Sequence, residues 1–400
     1  ILCEGKVPHD DRVALTPKQC KLLMDNPYNF DIVVQPSSHR CYTDEEYFAS
    51  GVPVMQDISQ SDIILGVKEV PIKDLMPHKK YFFFSHTIKK QAHNRKLLQA
   101  ILQKNITLID YETLVDDHGG RLIAFGKYAG IVGAHNGLWT YGQRTGLFDW
   151  PRLKDLHDFE QARTIYHQTT LPPVKIVLTG SGRVAYGAIS ALKDMNIQEV
   201  SPLEFLKQED FETAVFTHLT SADYVKHKDN KIFVKKDFYQ NPQDYVSIFK
   251  PYAEKANIFL NCIYWDTRAP AFFTMEEIAD ASFNIEVIGD ITCDIAPESS
   301  VPTTLKASTI DEPVFGIDTE SFEITAPYKE TSIDVMSIDN LPNELPRDAS
   351  RYFGDQFIKV IIPELMAENS KILDYATIAK DGALTPHFMY LNEYVHEAAG

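Results

Sequence analysis

No apolar run in the sequence is long enough to span a bilayer as a helix, and no signal-peptide pattern opens it. A cytoplasmic protein without membrane contact is therefore expected. Cysteine is scarce: Cys3, Cys20, Cys41, Cys262 and Cys293 are the five in 400 residues. They form no CxxC pair and no metal-ligand spacing, so no metal site is expected. An odd, sparse set suits a reducing compartment. Positive charge is also short. With 39 Lys and Arg against 56 Asp and Glu, the net charge is −17. That disfavours nucleic acid and anionic membrane surfaces as partners. An anionic ligand would need a local cationic pocket. Internal repeats and low-complexity tracts are lacking. The chain opens at Ile1 in a strand-like stretch without methionine, which suggests a trimmed start. A homo-oligomer is compatible with this composition.

What is present is a globular composition, 44% hydrophobic and 24% charged, at a length that suits two or three domains. One stretch organises the rest. The apolar run Val174-Lys175-Ile176-Val177-Leu178-Thr179 stops at Gly180-Ser181-Gly182-Arg183-Val184-Ala185, and a helix-compatible segment follows to about Met195. Strand, Gly-x-Gly-x-x-Ala and helix in that order form the dinucleotide fingerprint. Gly180 permits the tight turn, Gly182 lets backbone approach a pyrophosphate, and Ala185 lets the helix pack close. The helix start then turns unpaired N–H groups towards phosphate. An acid at the end of the next strand would hold the ribose 2′-hydroxyl of NAD. Here Ile197-Gln198-Glu199-Val200 runs into Ser201-Pro202, with Glu204 beyond. A hydroxyl in place of a carboxylate removes repulsion against a 2′-phosphate, and the reading leans towards NADP(H) over NAD(H).

The flanking chain alternates in the same way. Before residue 128, short apolar runs at Ile32–Val34, Ile63–Val67, Tyr81–Phe84 and Ile106–Ile109 read as buried parallel strands. Thr87 is positioned to cap a helix carrying Leu97, Leu98, Ile101 and Leu102 on one face. Gly126 to about Gly146 reads as a helix connecting two domains, ended by Trp150-Pro151. Beyond the fingerprint, Ala214–Phe216, Asn257–Asn261 and Asn284–Ile288 continue an α/β pattern. Residues 294–327 read as polar loop, Ser332–Met336 as a strand, and Arg347 to Glu368 as a long helix.

Active-site groups in open α/β sheets sit at the carboxyl ends of strands. Lys68-Glu69 follows the strand ending at Val67, His86 follows the aromatic strand with Lys89 and Lys90 behind it, and Asp110-Tyr111-Glu112 follows Ile109. Arg12 lies early, and Asp290 and Asp294 flank the end of the strand through Ile288. Taken singly, each is more often a capping, turn or surface residue. A lysine and a histidine at neighbouring strand ends, together with a nucleotide fingerprint, suggest proton transfer beside hydride transfer.

Arg-Val-Ala-Leu-Thr-Pro at 12–17, Val-Lys-Glu-Val-Pro at 67–71, Phe-Phe-Ser-His-Thr-Ile-Lys at 83–89 and Ile-Asp-Tyr-Glu at 109–112 resemble the amino-terminal half of the alanine dehydrogenase/saccharopine dehydrogenase superfamily. Val-Leu-Thr-Gly-Ser-Gly-Arg-Val at 177–184, Asn-Cys-Ile-Tyr-Trp at 261–265, Ile-Gly-Asp-Ile-Thr-Cys-Asp at 288–294 and Ser-Ile-Asp-Asn-Leu-Pro at 337–342 are similar to the lysine-ketoglutarate reductase part of the bifunctional lysine-degrading enzyme. The resemblance implies two Rossmann-like α/β domains, with the nucleotide-binding domain inserted into the substrate domain. Residues 1–130 would begin the substrate domain, 131–326 would form the NAD(P)-binding domain, and 327–400 would return to the first. The saccharopine-cleaving domain of the bifunctional enzyme would need several hundred more residues than this sequence holds.

The resemblance further implies an oxidoreductase that interconverts L-lysine plus 2-oxoglutarate with saccharopine by imine formation and hydride transfer. Lys68 and His86 resemble the acid–base pair, and Glu69 and Glu112 the acids that tune it. Arg12, Lys89 and Arg121 match cationic substrate positions, which a product with three carboxylates requires. Gly180, Ser181, Gly182, Arg183, Val184, Ser201 and Asp290 are the expected cofactor contacts. The rival readings are an alanine dehydrogenase-like or other amine–keto acid reductase, and a non-catalytic nucleotide-binding protein.

Overall fold

The computed structural model describes residues 1–5 and 9–396. The chain forms two compact units: Ile1–Phe125 with Pro346–Gly400, and Gly126–Leu345. The second is thus an insertion in the first. Strands β1 (Ile63–Leu65), β2 (Lys80–Phe83) and β3 (Thr107–Asp110) precede the insertion. Within it lie β4 (Lys175–Thr179), β5 (Gln198–Glu199), β6 (Val215–Leu219), β7 (Val225–His227), β8 (Tyr245–Ser247) and β9 (Ile258–Asn261). The insertion also holds β10 (Val287–Asp290), β11 (Val314–Asp318), β12 (Ile324–Thr325) and β13 (Ser332–Met336). The returning chain adds β14 (Thr377–Lys380) and β15 (Ala383–Leu384).

The first unit is built on a sheet of order β1-β2-β3-β14-β15. Its first three strands are parallel, and β14 runs antiparallel to β3. Parallel strands buried on both faces need apolar residues on both, and Tyr81, Phe82, Phe83, Leu108 and Ile109 supply them. Helix α1 (Arg95–Gln103) buries Leu97, Leu98, Ala100 and Ile101 along one stripe. Thr87 does not cap it. The residue instead opens a single 3₁₀ turn, Thr87–Lys89, bracketed by His86 and Lys90 in the left-handed region at φ 52° and 54°. A left-handed residue cannot propagate a right-handed helix, so α1 starts afresh after Asn94. The expected strand at Ile32–Val34 is reduced to one bridge, Val34 to Val54.

The inserted unit carries an eight-stranded sheet of order β12-β11-β13-β10-β9-β4-β6-β5, with β7 and β8 paired separately. Strands β5, β6, β4, β9, β10 and β13 are mutually parallel, while β11 and β12 are antiparallel additions. Counting parallel strands from β4 as the first, the spatial order is 2-3-1-4-5-6. The usual dinucleotide-binding order is 3-2-1-4-5-6. Here β6 stands between β4 and β5.

Two sequence expectations shift. Residues 294–327 are not all loop, because Val314–Asp318 is β11. And β13, expected to open the return to the first unit, pairs with β10 and β11 in the inserted sheet, buried at every position. The second crossing therefore falls at 345/346 rather than 326/327. Helix α2 (Gly126–Thr145) is likewise a layer of the inserted unit rather than a connector. It lies against helix α3 (Arg183–Asp194) where side chains are missing. A Cβ on Gly130 would stand 1.9 Å from the Val184 carbonyl oxygen, and one on Gly187 would stand 2.1 Å from that of Lys127. The carboxyl-terminal helix Pro346–Gln356 continues through a π-turn, Phe357–Ile361, into Ile362–Met366. No helix among the described residues is long and apolar enough to cross a membrane.

Candidate active site

In the first unit the parallel arrangement of β1, β2 and β3 brings their carboxyl ends to one edge, where each runs into a polar loop. The loop after β1 holds Lys68 and Glu69. Its backbone is fixed by Glu4, whose carboxylate accepts from the Val67 N–H (2.6 Å) and the Lys68 N–H (2.9 Å). Burial pushes the Glu4 carboxyl up to about 7, against the pull of those two bonds.

The loop after β2 holds His86. Its Nδ1 lies 2.6 Å from Glu69 Oε1. A carboxylate only accepts, so Nδ1 carries the proton and donates. Nε2 is then the nitrogen with a lone pair, and it has no hydrogen-bond partner among the described residues. This is the tautomer a general base needs, set by the acid behind the ring. The loop is pinned by Asp110, the fully buried last residue of β3. Its Oδ2 accepts from the Ser85 N–H (2.8 Å) and hydroxyl, and Oδ1 accepts from the Glu112 N–H (2.7 Å). Burial raises the Asp110 carboxyl above the usual range, with the Ser85 bond opposing it.

The loop after β3 supplies Glu112. Its Oε1 meets Arg121 Nη2 at 2.7 Å and Lys89 Nζ at 3.7 Å. Both cations are about half exposed, whereas the Glu112 side chain is 5% exposed. Its second oxygen, Oε2, is buried and has no hydrogen-bond partner among the described residues. Leaving a buried carboxylate oxygen unmet costs free energy. A buried acceptor oxygen beside two half-exposed cations is suited to a ligand carrying both carboxylate and amine.

Aromatic rings tie these loops together. Phe84 stacks on the His86 ring (6.4 Å between centroids) and also touches Tyr111 and Phe125. Arg12 lies 4.2 Å above the Phe125 ring. The guanidinium, which the resemblance implies as a substrate-binding cation, is buried. It is 4% exposed and grips Asp10 with Nε (2.8 Å) and Nη2 (2.6 Å). Bidentate pairing and stacking make Arg12 a fixed part of the wall.

In the inserted unit the fingerprint turn forms as anticipated. Gly180 adopts φ 112°, and a Cβ there would fall 2.5 Å from the Cys262 carbonyl oxygen, so only glycine fits. Gly182 is the N-cap of α3. A Cβ on it would meet nothing within 4 Å, so the backbone there borders open space of the kind a pyrophosphate needs. Ser181, Arg183 and Val184 complete the turn into the helix, and Ala185 is fully buried beneath it. The residues present therefore fit a dinucleotide.

Two residues anticipated as cofactor contacts have partners within their own unit. Asp290, at the end of β10, is fully buried and spends its carboxylate inside the unit. It accepts from Asn261 Nδ2 (3.0 Å) and from the hydroxyls of Thr292 (2.7 Å) and Thr304 (2.7 Å). Burial pushes it up to about 6. Asp290 thereby clamps the loop after β10. Ser201 is exposed and accepts from the Glu204 N–H, capping helix α4 (Pro202–Lys207). It follows β5, which β6 separates from β4, so two inter-strand spacings, roughly 10 Å, lie between that strand and the fingerprint strand. The sequence reasoning missed Glu4 and Asp10 and named Asp110 only as a strand-end group; each is an acid that holds a loop. Asp110 alone carried a signal, ending a strand beside Glu112.

Residues 1–132 match the family model of the alanine dehydrogenase/PNT N-terminal domain. An L-alanine dehydrogenase structure matches with a TM-score of 0.66 over 98% of both chains at 15% identity. The fold is that of the alanine dehydrogenases. At sequence level the chain is 31% identical to an alpha-aminoadipic semialdehyde synthase of Arabidopsis thaliana over 98% of its own length and 41% of that protein. It thus spans less than half the length of that relative. It is also 27% identical to a saccharopine dehydrogenase [NAD(+), L-lysine-forming] of Emericella nidulans, covering 91% of this chain and 92% of that protein. A Schizosaccharomyces pombe protein of the same name is 29% identical over 90% of both chains. The resemblance to saccharopine dehydrogenases thus runs through both units.

Proposed function

We propose that this chain is an oxidoreductase of lysine metabolism that joins L-lysine to 2-oxoglutarate and reduces the product to saccharopine, or runs the reverse reaction. One observation carries the reading most. His86 is held by Glu69 in the tautomer that leaves Nε2 as acceptor, on the same strand edge as Lys68 and as Glu112 with its cations Lys89 and Arg121. The relatives named above support the choice of substrates.

The lysine ε-amine adds to the ketone carbon, and the carbinolamine then loses water to give an imine. His86 Nε2 would deliver and remove the proton on the carbinolamine oxygen, and Lys68 would handle the proton on the amine. Glu69 and Glu112 would balance the charge of each. Lys89 and Arg121 would bind substrate carboxylates, with Arg121 suited to bidentate contact. Arg12 is left out of that role, since it is buried with its Nε and Nη2 on Asp10. A nicotinamide cofactor, NAD(H) or NADP(H), held at Gly180, Ser181, Gly182, Arg183 and Val184, would supply the hydride.

The test is a set of initial rates with lysine plus 2-oxoglutarate and with pyruvate plus ammonia, each with NADPH and with NADH. Activity on the first pair is expected. Activity on pyruvate and ammonia alone would make the chain an alanine dehydrogenase. Dinucleotide binding without turnover of any amine–keto acid pair would make it a non-catalytic nucleotide-binding protein.

A further inference from the structure

The swapped positions of β5 and β6 bear on how a dinucleotide is told apart from its 2′-phosphorylated form. Discrimination requires a group beside the adenosine ribose. That ribose lies past the carboxyl end of the strand adjoining the fingerprint strand. In this sheet the adjoining strand is β6, in register with β4 from Lys175↔Val215 to Thr179↔Leu219. The backbone confirms the proximity, because the Gly180 N–H donates to the Leu219 carbonyl at 3.3 Å.

The side chains at this strand end point to the same place. His218 Nε2 lies 2.5 Å from the Gly180 carbonyl oxygen. A carbonyl can only accept, so Nε2–H donates and the ring is anchored to the first glycine of the turn. Its Nδ1 has no hydrogen-bond partner among the described residues. The exposed Tyr186 ring, on α3, meets the imidazole in a T-shaped arrangement, with 6.4 Å between ring centroids. Thr220 and Ser221 follow. The next acid, Asp223, already accepts from the Thr220 N–H and hydroxyl at 2.8 Å each.

We infer that the ribose 2′-position of the cofactor is read at the end of β6, by His218 with Thr220 and Ser221, and not at Ser201 after β5. This rests on the dinucleotide-binding part of the proposed function. A neutral imidazole with Nε2–H committed to Gly180 offers Nδ1 as an acceptor for a ribose hydroxyl. The same strand end carries no uncommitted carboxylate to repel a 2′-phosphate, so NADPH is admitted.

The experiment is equilibrium binding of NADPH and NADH, read by quenching of protein fluorescence, for the full chain and for His218→Asp, Ser221→Asp and Ser201→Asp. A carboxylate placed beside the 2′-position should weaken NADPH at least tenfold relative to NADH. That is the expected result for His218→Asp and for Ser221→Asp, which places a second acid, beside Asp223, in the first turn of the short helix Ser221–Tyr224. Ser201→Asp should leave the ratio within twofold. Because the readout is a ratio, a general loss of affinity in one variant does not mimic the effect, and Ser221→Asp stands if His218→Asp fails to fold. A shift in Ser201→Asp alone, or in none of the three, overturns the inference while leaving the reductase reading intact. Failure of the unmodified chain to bind either dinucleotide would overturn both.

Discussion

At the carboxyl edge of β1, β2 and β3 the groups able to react are side chains, and acids stand behind them. Glu69 holds His86, Asp110 holds the Ser85 loop and the Glu112 backbone, and Glu4 holds the backbone of Lys68. At the carboxyl edge of β4, β6 and β9 the groups that would bind are mostly backbone, exposed because side chains are absent at Gly180 and Gly182. The difference follows from the two tasks. Moving a proton needs a titratable atom in one orientation, which a second side chain enforces. Holding a pyrophosphate needs several N–H groups at close range, which a Cβ would block. The first edge should therefore fail by losing rate, and the second by losing affinity or folding.

The largest effect that would break this contrast is catalytic. His86→Gln and Lys68→Met should each lower kcat by about two to four orders of magnitude with lysine and 2-oxoglutarate. NADPH binding should stay within twofold in both. If either variant instead loses the dinucleotide with its rate, the division of labour is wrong.

Next in size is the glycine contact of α2 with α3. Gly130→Ala and Gly187→Ala push a methyl to 1.9 and 2.1 Å from backbone oxygens. Neither oxygen can yield as a flexible side chain would. A loss of about 3 kcal/mol or more in urea-induced unfolding is expected for each.

Gly182→Ala sharpens the comparison from the other side. Its methyl meets nothing in the protein, so unfolding should change by less than about 0.5 kcal/mol. NADH and NADPH affinity should nevertheless fall about tenfold or more, since the methyl occupies the ligand's space. Unchanged affinity would show that the pyrophosphate lies elsewhere.

The smallest effect concerns pH. Glu4 is raised from 4.5 to about 7 and Asp290 from 3.8 to about 6, both through burial. A carboxyl whose folded pKa is raised stabilises the fold below its unfolded pKa and loses that contribution as pH climbs through the folded value. Stability should thus decline between about pH 4 and 7, by at most about 1.4 kcal/mol per pH unit for each group. Glu4→Gln and Asp290→Asn should flatten the slope in denaturant titrations, Glu4→Gln at the higher end of that window. A slope unchanged in both variants would refute the assignment.

Much of this was legible before the structure. Short apolar runs ending in glycine or in polar residues marked β1 to β4, β6, β9 and β10, because a strand buried on both faces leaves few polar positions until it ends. Lys68, His86 and Glu112 were found by the same rule, as polar residues directly after apolar runs. What escaped depended on partners distant in sequence. Strand β11 follows Pro313 in a polar stretch and becomes a strand through its pairing with β13. Arg12 was expected to meet a ligand, yet Asp10 two residues away engages it in a place that is buried only once Phe125 covers it.

The order of residues by itself determined where the strands end, which turn requires glycine, and which side chains follow each strand. These are local facts, governed by backbone sterics and by the burial of neighbours in sequence. Tertiary structure decided which strands stand side by side. It put β6 between β4 and β5 and drew β13 into the inserted sheet. Pairing joins backbone groups tens of residues apart, and parallel strands of similar composition exchange places without changing the apolar pattern along either one. A site assembled from several strand ends is therefore read from the sequence one edge at a time, and its neighbours are known only once the sheet is closed.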